Sequence, residues 1–136
     1  MGISNRSDHR LPAPVQAFGL VVTHQDIGRE LVKAAESIAG PQENLEVLSN
    51  RDASFDALCQ QIQSVIPPDR NAIIMVDYFG GSAHLAARAI CKSTDRQVFV
   101  SGVNLPMLLS FVTKRNQLTF PELIEVIKAD GIRGIR

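Results

Sequence analysis

"AFGLVVTHQDIG", residues 17–28, decides the fold. Residues 17–23 form a short, β-branched, nearly all-apolar run, the pattern of a strand covered on both faces. The run breaks at His24-Gln25-Asp26. From Ile27 the apolar residues change period: Ile27, Leu31, Ala34, Ala35 and Ile38 recur at helical spacing until Gly40-Pro41 stops them. A buried strand leading directly into an amphipathic helix is the opening unit of an α/β sheet. The histidine stands at the junction.

The alternation continues outward from this unit. "NLEVLS" (44–49) reads as a second strand. Asp52 or Ser54 caps a helix over about 55–66, whose stripe is Phe55, Leu58, Cys59, Ile62, Val65 and Ile66. Pro67-Pro68 ends it. "AIIMVD" (72–77) is a third buried strand, and a Gly80-Gly81 turn leads into a helix over 82–92. "QVFVSG" (97–102) is the fourth strand. "NLPMLLSFV" (104–112) reads as a helix with Pro106 in its first turn. Thr119-Phe120-Pro121-Glu122 is a capping box opening a last helix to about Ala129, with Gly131 expected to end it. "IRGIR" at 132–136 is then expected to form a short final strand. Short connections between alternating strands and helices imply right-handed crossovers and an open, doubly wound, mainly parallel sheet with helices on both faces. The expected order is 2-1-3-4, because it makes strands one and three neighbours.

Composition narrows the functional classes. The chain has 136 residues, of which 45% are hydrophobic, enough for one domain with a sizeable core. Residues 1–15 read as a flexible arm and 16–136 as the domain. Lys plus Arg and Asp plus Glu number 14 each, so the basic excess of a nucleic-acid binder is missing. No apolar run approaches the ~20 residues that span a bilayer. The start "MGISNR" has Arg6 where myristoylation requires Ser or Thr. Cys59 and Cys91 are too few for a disulfide framework; they read as small core residues in a reducing, cytoplasmic setting.

In such sheets ligands bind beyond the C-terminal ends of the strands, where strand order reverses. His24 lies just past strand one and Asp77 ends strand three, so neighbouring strands bring them together. After Asp77 comes "YFGGSAH" (78–84). Gly80 and Gly81 let backbone N–H groups approach an anion, and the helix starting at Ser82 adds unpaired donors and a partial positive charge. A carboxylate that holds one imidazole nitrogen fixes the tautomer and stabilises charge formed on the ring. Beside an anion cradle, that is the minimum kit for a phosphohistidine. A lone His–Asp pair is also often a plain structural hydrogen bond, and Gly-Gly-Ser occurs in many turns. Spacing alone leaves both readings open. His24, Asp26, Asp77 and His84 lack the paired spacing of metal ligands, so no metal is expected. His9, in the arm, reads as inert. An aspartate ending a strand also suits a phospho-acceptor receiver, but that fold expects an acidic pair where this chain has His24-Gln25-Asp26.

Taken together, "VVTH" (21–24), "AGPQENLEVL" (39–48), "DYFGGS" (77–82) and "SGVNLPMLL" (101–109) resemble the mannose-family IIA component of the bacterial phosphoenolpyruvate-dependent sugar phosphotransferase system. The resemblance covers roughly residues 17–136. It implies a cytoplasmic phosphocarrier that needs no cofactor. Such a carrier accepts a phosphoryl group from the carrier protein HPr on His24, oriented by Asp77 and cradled by Gly80, Gly81 and Ser82. It then passes the group to a IIB partner for sugar uptake, touching a membrane permease only peripherally. The other function it allows is a regulatory module that reports the phosphorylation state of such a chain by binding other proteins. The resemblance also implies a homodimer with an exchanged C-terminal strand, and Ile132 and Ile135 are too few to anchor an edge strand alone. Where the family usually has glycine after the histidine, this chain has Gln25. After Gly-Gly-Ser, Ala83 and Leu85 replace the family's proline and asparagine, with His84 between them. The nitrogen held by Asp77 cannot be the nucleophile, so the phosphoryl group is expected on Nε2; His84 is the rival acceptor. Leu105, Met107 and Leu108, following strand four, are expected to form an apolar docking rim or else to be core.

Overall fold

The computed structural model describes residues 16–136; the arm read over 1–15, with His9, lies outside the described residues. Among the described residues four strands and five helices follow in order: β1 (Phe18–Thr23), α1 (Ile27–Ala39), β2 (Leu45–Ser49), α2 (Phe55–Val65), β3 (Ala72–Val76), α3 (Ser82–Cys91), β4 (Gln97–Ser101), α4 (Leu105–Lys114) and α5 (Phe120–Arg133). The sheet is parallel throughout, in the order β2-β1-β3-β4.

The side-chain alternation of the strands builds two cores. Val21, Ile73, Met75 and Val100 point to one face and pack under α1, α4 and α5 with Ala35, Leu108, Phe111, Leu123 and Ile127. Leu20, Val22, Ile74 and Val76 point to the other and meet Leu58 and Ile62 of α2 and the small residues Ala83, Ala86 and Ala87 of α3. The alanines let α3 lie close to the sheet, which brings its N-terminus beside the ends of β1 and β3. Both faces being covered explains why β1 and β3 are apolar at successive positions.

Caps fix where the helices begin. Ser54 rather than Asp52 caps α2, its hydroxyl accepting from the Ala57 N–H at 3.1 Å. Asn104 caps α4 with Pro106 in the first turn, and the Thr119–Glu122 capping box opens α5. At the N-terminal end of the sheet, buried Arg115 donates to the carbonyls of Ala17, Glu43 and Asn44 and to Gln42 Oε1, and its guanidinium lies over Phe111. Burial, helped by nearby Arg70, lowers its pKa to about 10, so it stays charged at neutral pH.

Three expectations are corrected. The short strand at 132–136 does not form in the single chain; α5 continues through Gly131 to Arg133. Gly131 is not a stop signal. It is buried against α4, where a Cβ would meet Met107 Cε at 3.2 Å and Asn104 Oδ1 at 3.3 Å. Asn104 Nδ2 also donates to its carbonyl at 3.0 Å. The glycine is there for close helix contact. Asp130, one residue before it, takes Ser110 Oγ and Lys114 Nζ from α4 at 2.6 Å each. The two cysteines are half-buried rather than core. Burial pushes both thiols up, Cys91 to about 11, which leaves them poor nucleophiles.

Candidate functional site

The register of the sheet assembles the site. Val22 pairs with Val76, so the chain leaves β1 and β3 at the same level. Thr23 is fully buried, and its hydroxyl accepts from the Gly28 N–H at 2.8 Å, pinning the first turn of α1 over the strand end. Between them the backbone turns sharply, and Gln25 takes φ 51, in the left-handed region. That conformation favours glycine.

His24 and Asp77 meet as expected. Asp77 Oδ2 accepts from the His24 backbone N–H at 2.8 Å and lies 2.9 Å from His24 Nδ1. Oδ1 accepts from the Tyr78 N–H at 3.1 Å. The carboxylate is thus held from two sides, and its side chain is 12% exposed against 36% for His24. A carboxylate accepts, so Nδ1 carries the proton and the neutral ring keeps its lone pair on Nε2.

The turn that follows is more differentiated than its sequence. Gly80 has φ 99, and its N–H donates to His84 Nδ1 at 3.0 Å. That donor is already used inside the loop. The N–H groups of Gly81 and Ser82, at the start of α3, have no acceptor among the described residues. Of the three residues read as an anion cradle, Gly81 and Ser82 therefore offer free donors, while Gly80 supplies the turn. Ser82 Oγ accepts from Asn50 Nδ2 at 2.8 Å, which leaves the hydroxyl hydrogen free to donate. Asn50, just past β2, was not singled out in the sequence; its position one residue after a strand end is the signal that could have found it.

His84 is a different kind of residue from His24. Its ring is 2% exposed, with centroid distances of 4.1 Å to Phe79 and 5.1 Å to Phe99. Nδ1 accepts from Gly80, so Nε2 carries the hydrogen, and it is buried without a partner among the described residues. Neither nitrogen presents a free lone pair to solvent. Ala83 is buried against the sheet and Leu85 is half-exposed.

The docking rim is corrected. Met107 and Leu108 are buried and Leu105 is partly buried, because α4 turns this face onto the sheet and α5. An exposed ring that does stand beside His24 is Tyr78, at 52%, and the same loop after β3 carries Phe79, at 73% and packed on His84. Among the described residues, no group of three or more histidine, cysteine or acidic side chains gathers as metal ligands would. No helix among them is long and apolar enough to cross a membrane.

Comparison with known proteins follows the same lines. The family model EIIA-man, described as PTS system fructose IIA component, matches residues 19–128. The PTS system mannose-specific EIIAB component of Escherichia coli K12 is 26% identical over 123 residues, 86% of this chain. The PTS system fructose-specific EIIA component of Bacillus subtilis 168 is 34% identical over 64 residues, 47% of this chain. The matches span 38% and 44% of the lengths of those two relatives. Among solved structures, phosphotransferase system component EIIA from Streptococcus agalactiae superposes with a TM-score of 0.83 at 22% identity, over 88% of this chain and 95% of that one.

Proposed function

The chain belongs to the EIIA-man family of phosphotransferase-system IIA components, and from that membership we propose that it is a cytoplasmic phosphohistidine carrier working on Nε2 of His24. The observation that carries this reading is Asp77 Oδ2 at 2.9 Å from His24 Nδ1, which leaves Nε2 as the nucleophile, at the sheet edge where the Gly81 and Ser82 N–H groups have no acceptor among the described residues.

The step is a transfer between two histidines. The Nε2 lone pair attacks the phosphorus on phospho-HPr, and the bond from phosphorus to the donor's imidazole nitrogen breaks. The donor ring keeps that electron pair. His24, now bonded at both nitrogens, carries positive charge that the Asp77 carboxylate offsets. The phosphoryl oxygens rest on the Gly81 and Ser82 N–H groups and the Ser82 hydroxyl, at the positive end of α3. The protein contributes position and fixed charge, and no metal is needed. Reversal of the step onto a IIB component completes the relay, at a membrane permease that the chain touches only peripherally.

A homodimer is part of this reading. The outer edge of β4 has no partner strand among the described residues, and exposed Ile132 and Ile135 stand beside it in a groove of about 450 Å³ that Phe99, Val100 and Ile124 also line. Residues from a second copy, exchanged strand included, would cover this edge.

The regulatory function also uses a phosphorylated His24 but ends there. A chase separates the two. The phosphorylated protein, freed of HPr, is mixed with a IIB component of the mannose or fructose type. Loss of the phosphoryl group from the chain and its appearance on IIB supports the relay; retention on the chain with every such IIB favours the regulatory reading.

A further inference from the structure

The acceptor site has a cover. Tyr78 follows Asp77 and folds back over it, its ring stacked on the His24 imidazole with centroids 5.2 Å apart and planes 29° apart. The other end of the same ring rests on Gly81. A Cβ built on Gly81 would lie 2.8 Å from Tyr78 Cζ, 3.0 Å from Cε1 and 3.1 Å from the phenol oxygen. Gly81 is buried while Gly80 and Ser82 on either side of it are exposed. The ring therefore bridges from the nucleophile to the first free donor of the cradle, and a glycine is required at 81 to let it.

A phosphoryl group bonded to Nε2 and resting on the Gly81 N–H would lie against this ring. The phenol oxygen has no partner among the described residues, and the half-exposed side chain packs on His24 and Gly81. Stacking of this kind is enough to favour the covering position yet weak enough for a docking partner to displace.

We propose that Tyr78 is the water shield of the phosphorylated site: its ring closes over the phosphoryl group on His24 and slows hydrolysis between acceptance and delivery. The reaction it opposes is attack of water on phosphorus, breakage of the bond to Nε2, return of a proton to that nitrogen and release of inorganic phosphate. Water must approach the phosphorus for this, and excluding it is a recognised way to protect a reactive intermediate. The role belongs to the ring rather than to the hydroxyl, so Tyr78→Phe keeps it and Tyr78→Ala loses it.

The inference rests on His24 being the acceptor, and it is tested without HPr. Phosphoramidate, a small-molecule donor, loads the full chain: its nitrogen–phosphorus bond breaks, ammonia leaves and a bond to Nε2 forms. After removal of the reagent, the lifetime of the phosphohistidine is followed by phosphorus NMR, with His24→Ala marking the signal. Wild type and Tyr78→Phe are expected to agree within twofold, and Tyr78→Ala to lose phosphate at least fivefold faster while its circular dichroism is unchanged. Equal lifetimes for wild type and Tyr78→Ala would overturn the shield. So would a Tyr78→Phe as short-lived as Tyr78→Ala, which would move the effect to the hydroxyl, or an absence of loading at His24. Because HPr takes no part, failure here is distinct from failure of HPr to act as donor.

Discussion

Asp77 is the residue on which the rest of the site turns. It reaches back across the strand ends to hold both the backbone and the ring of His24. Asp77→Asn keeps an acceptor oxygen for those bonds but no negative charge. The fold is expected to survive, while phosphoryl acceptance slows on the order of a hundredfold; stopped-time intact-mass measurements would read the rate, and a wild-type rate would contradict the role. Gln25 makes the opposite case. It sits at φ 51 in a turn that glycine would adopt without strain. Gln25→Gly is expected to raise stability by about 0.5–1 kcal/mol in urea unfolding, and a loss of stability would show that the side chain makes a compensating contact. His24, Asp77 and the glycine turn were legible in the sequence because strand ends and glycine pairs leave periodic signals. The difference between Gly80 and Gly81 was not, since it depends on which neighbour, His84 or Tyr78, lies against each.

At the level of elements, the strands and helices followed from apolar period and caps to within a residue or two. α5 did not. Gly131 reads as a stop only when its neighbours in space are unknown, and Met107 and Asn104 supply the reason it is not one. The same blindness left Met107 and Leu108 open between rim and core, and burial decides for core: an apolar segment after a strand looks alike whether a further helix covers it or not. Arg115 carried no periodic signal at all. It ties α4 to the chain entering β1 and to the loop before β2 through four hydrogen bonds. Arg115→Met keeps much of the volume and removes the donors. It is expected to cost about 3 kcal/mol in urea unfolding with an unchanged slope; a change below about 0.5 kcal/mol would mean that water takes over those carbonyls.

For the whole molecule, the placement of chemistry follows from topology. Parallel strands in the order 2-1-3-4 put the C-terminal ends of β1 and β3 side by side, and α3 brings its free N–H groups to the same edge. The far edge, along β4, has no partner strand among the described residues. Sedimentation at micromolar concentration is expected to give a dimer, and aspartate at both Ile132 and Ile135 to shift it toward monomer. A monomeric wild type would leave the apolar groove beside β4 without its proposed occupant. The central claim is the identity of the acceptor. Wild type, His24→Ala and His84→Ala are each incubated with phosphoenolpyruvate, enzyme I and HPr and weighed as intact chains. Wild type and a folded His84→Ala should each gain one acid-labile phosphoryl group, and His24→Ala none. A His24→Ala chain that still gains the group, alongside a His84→Ala chain that does not, would contradict the assignment of His24.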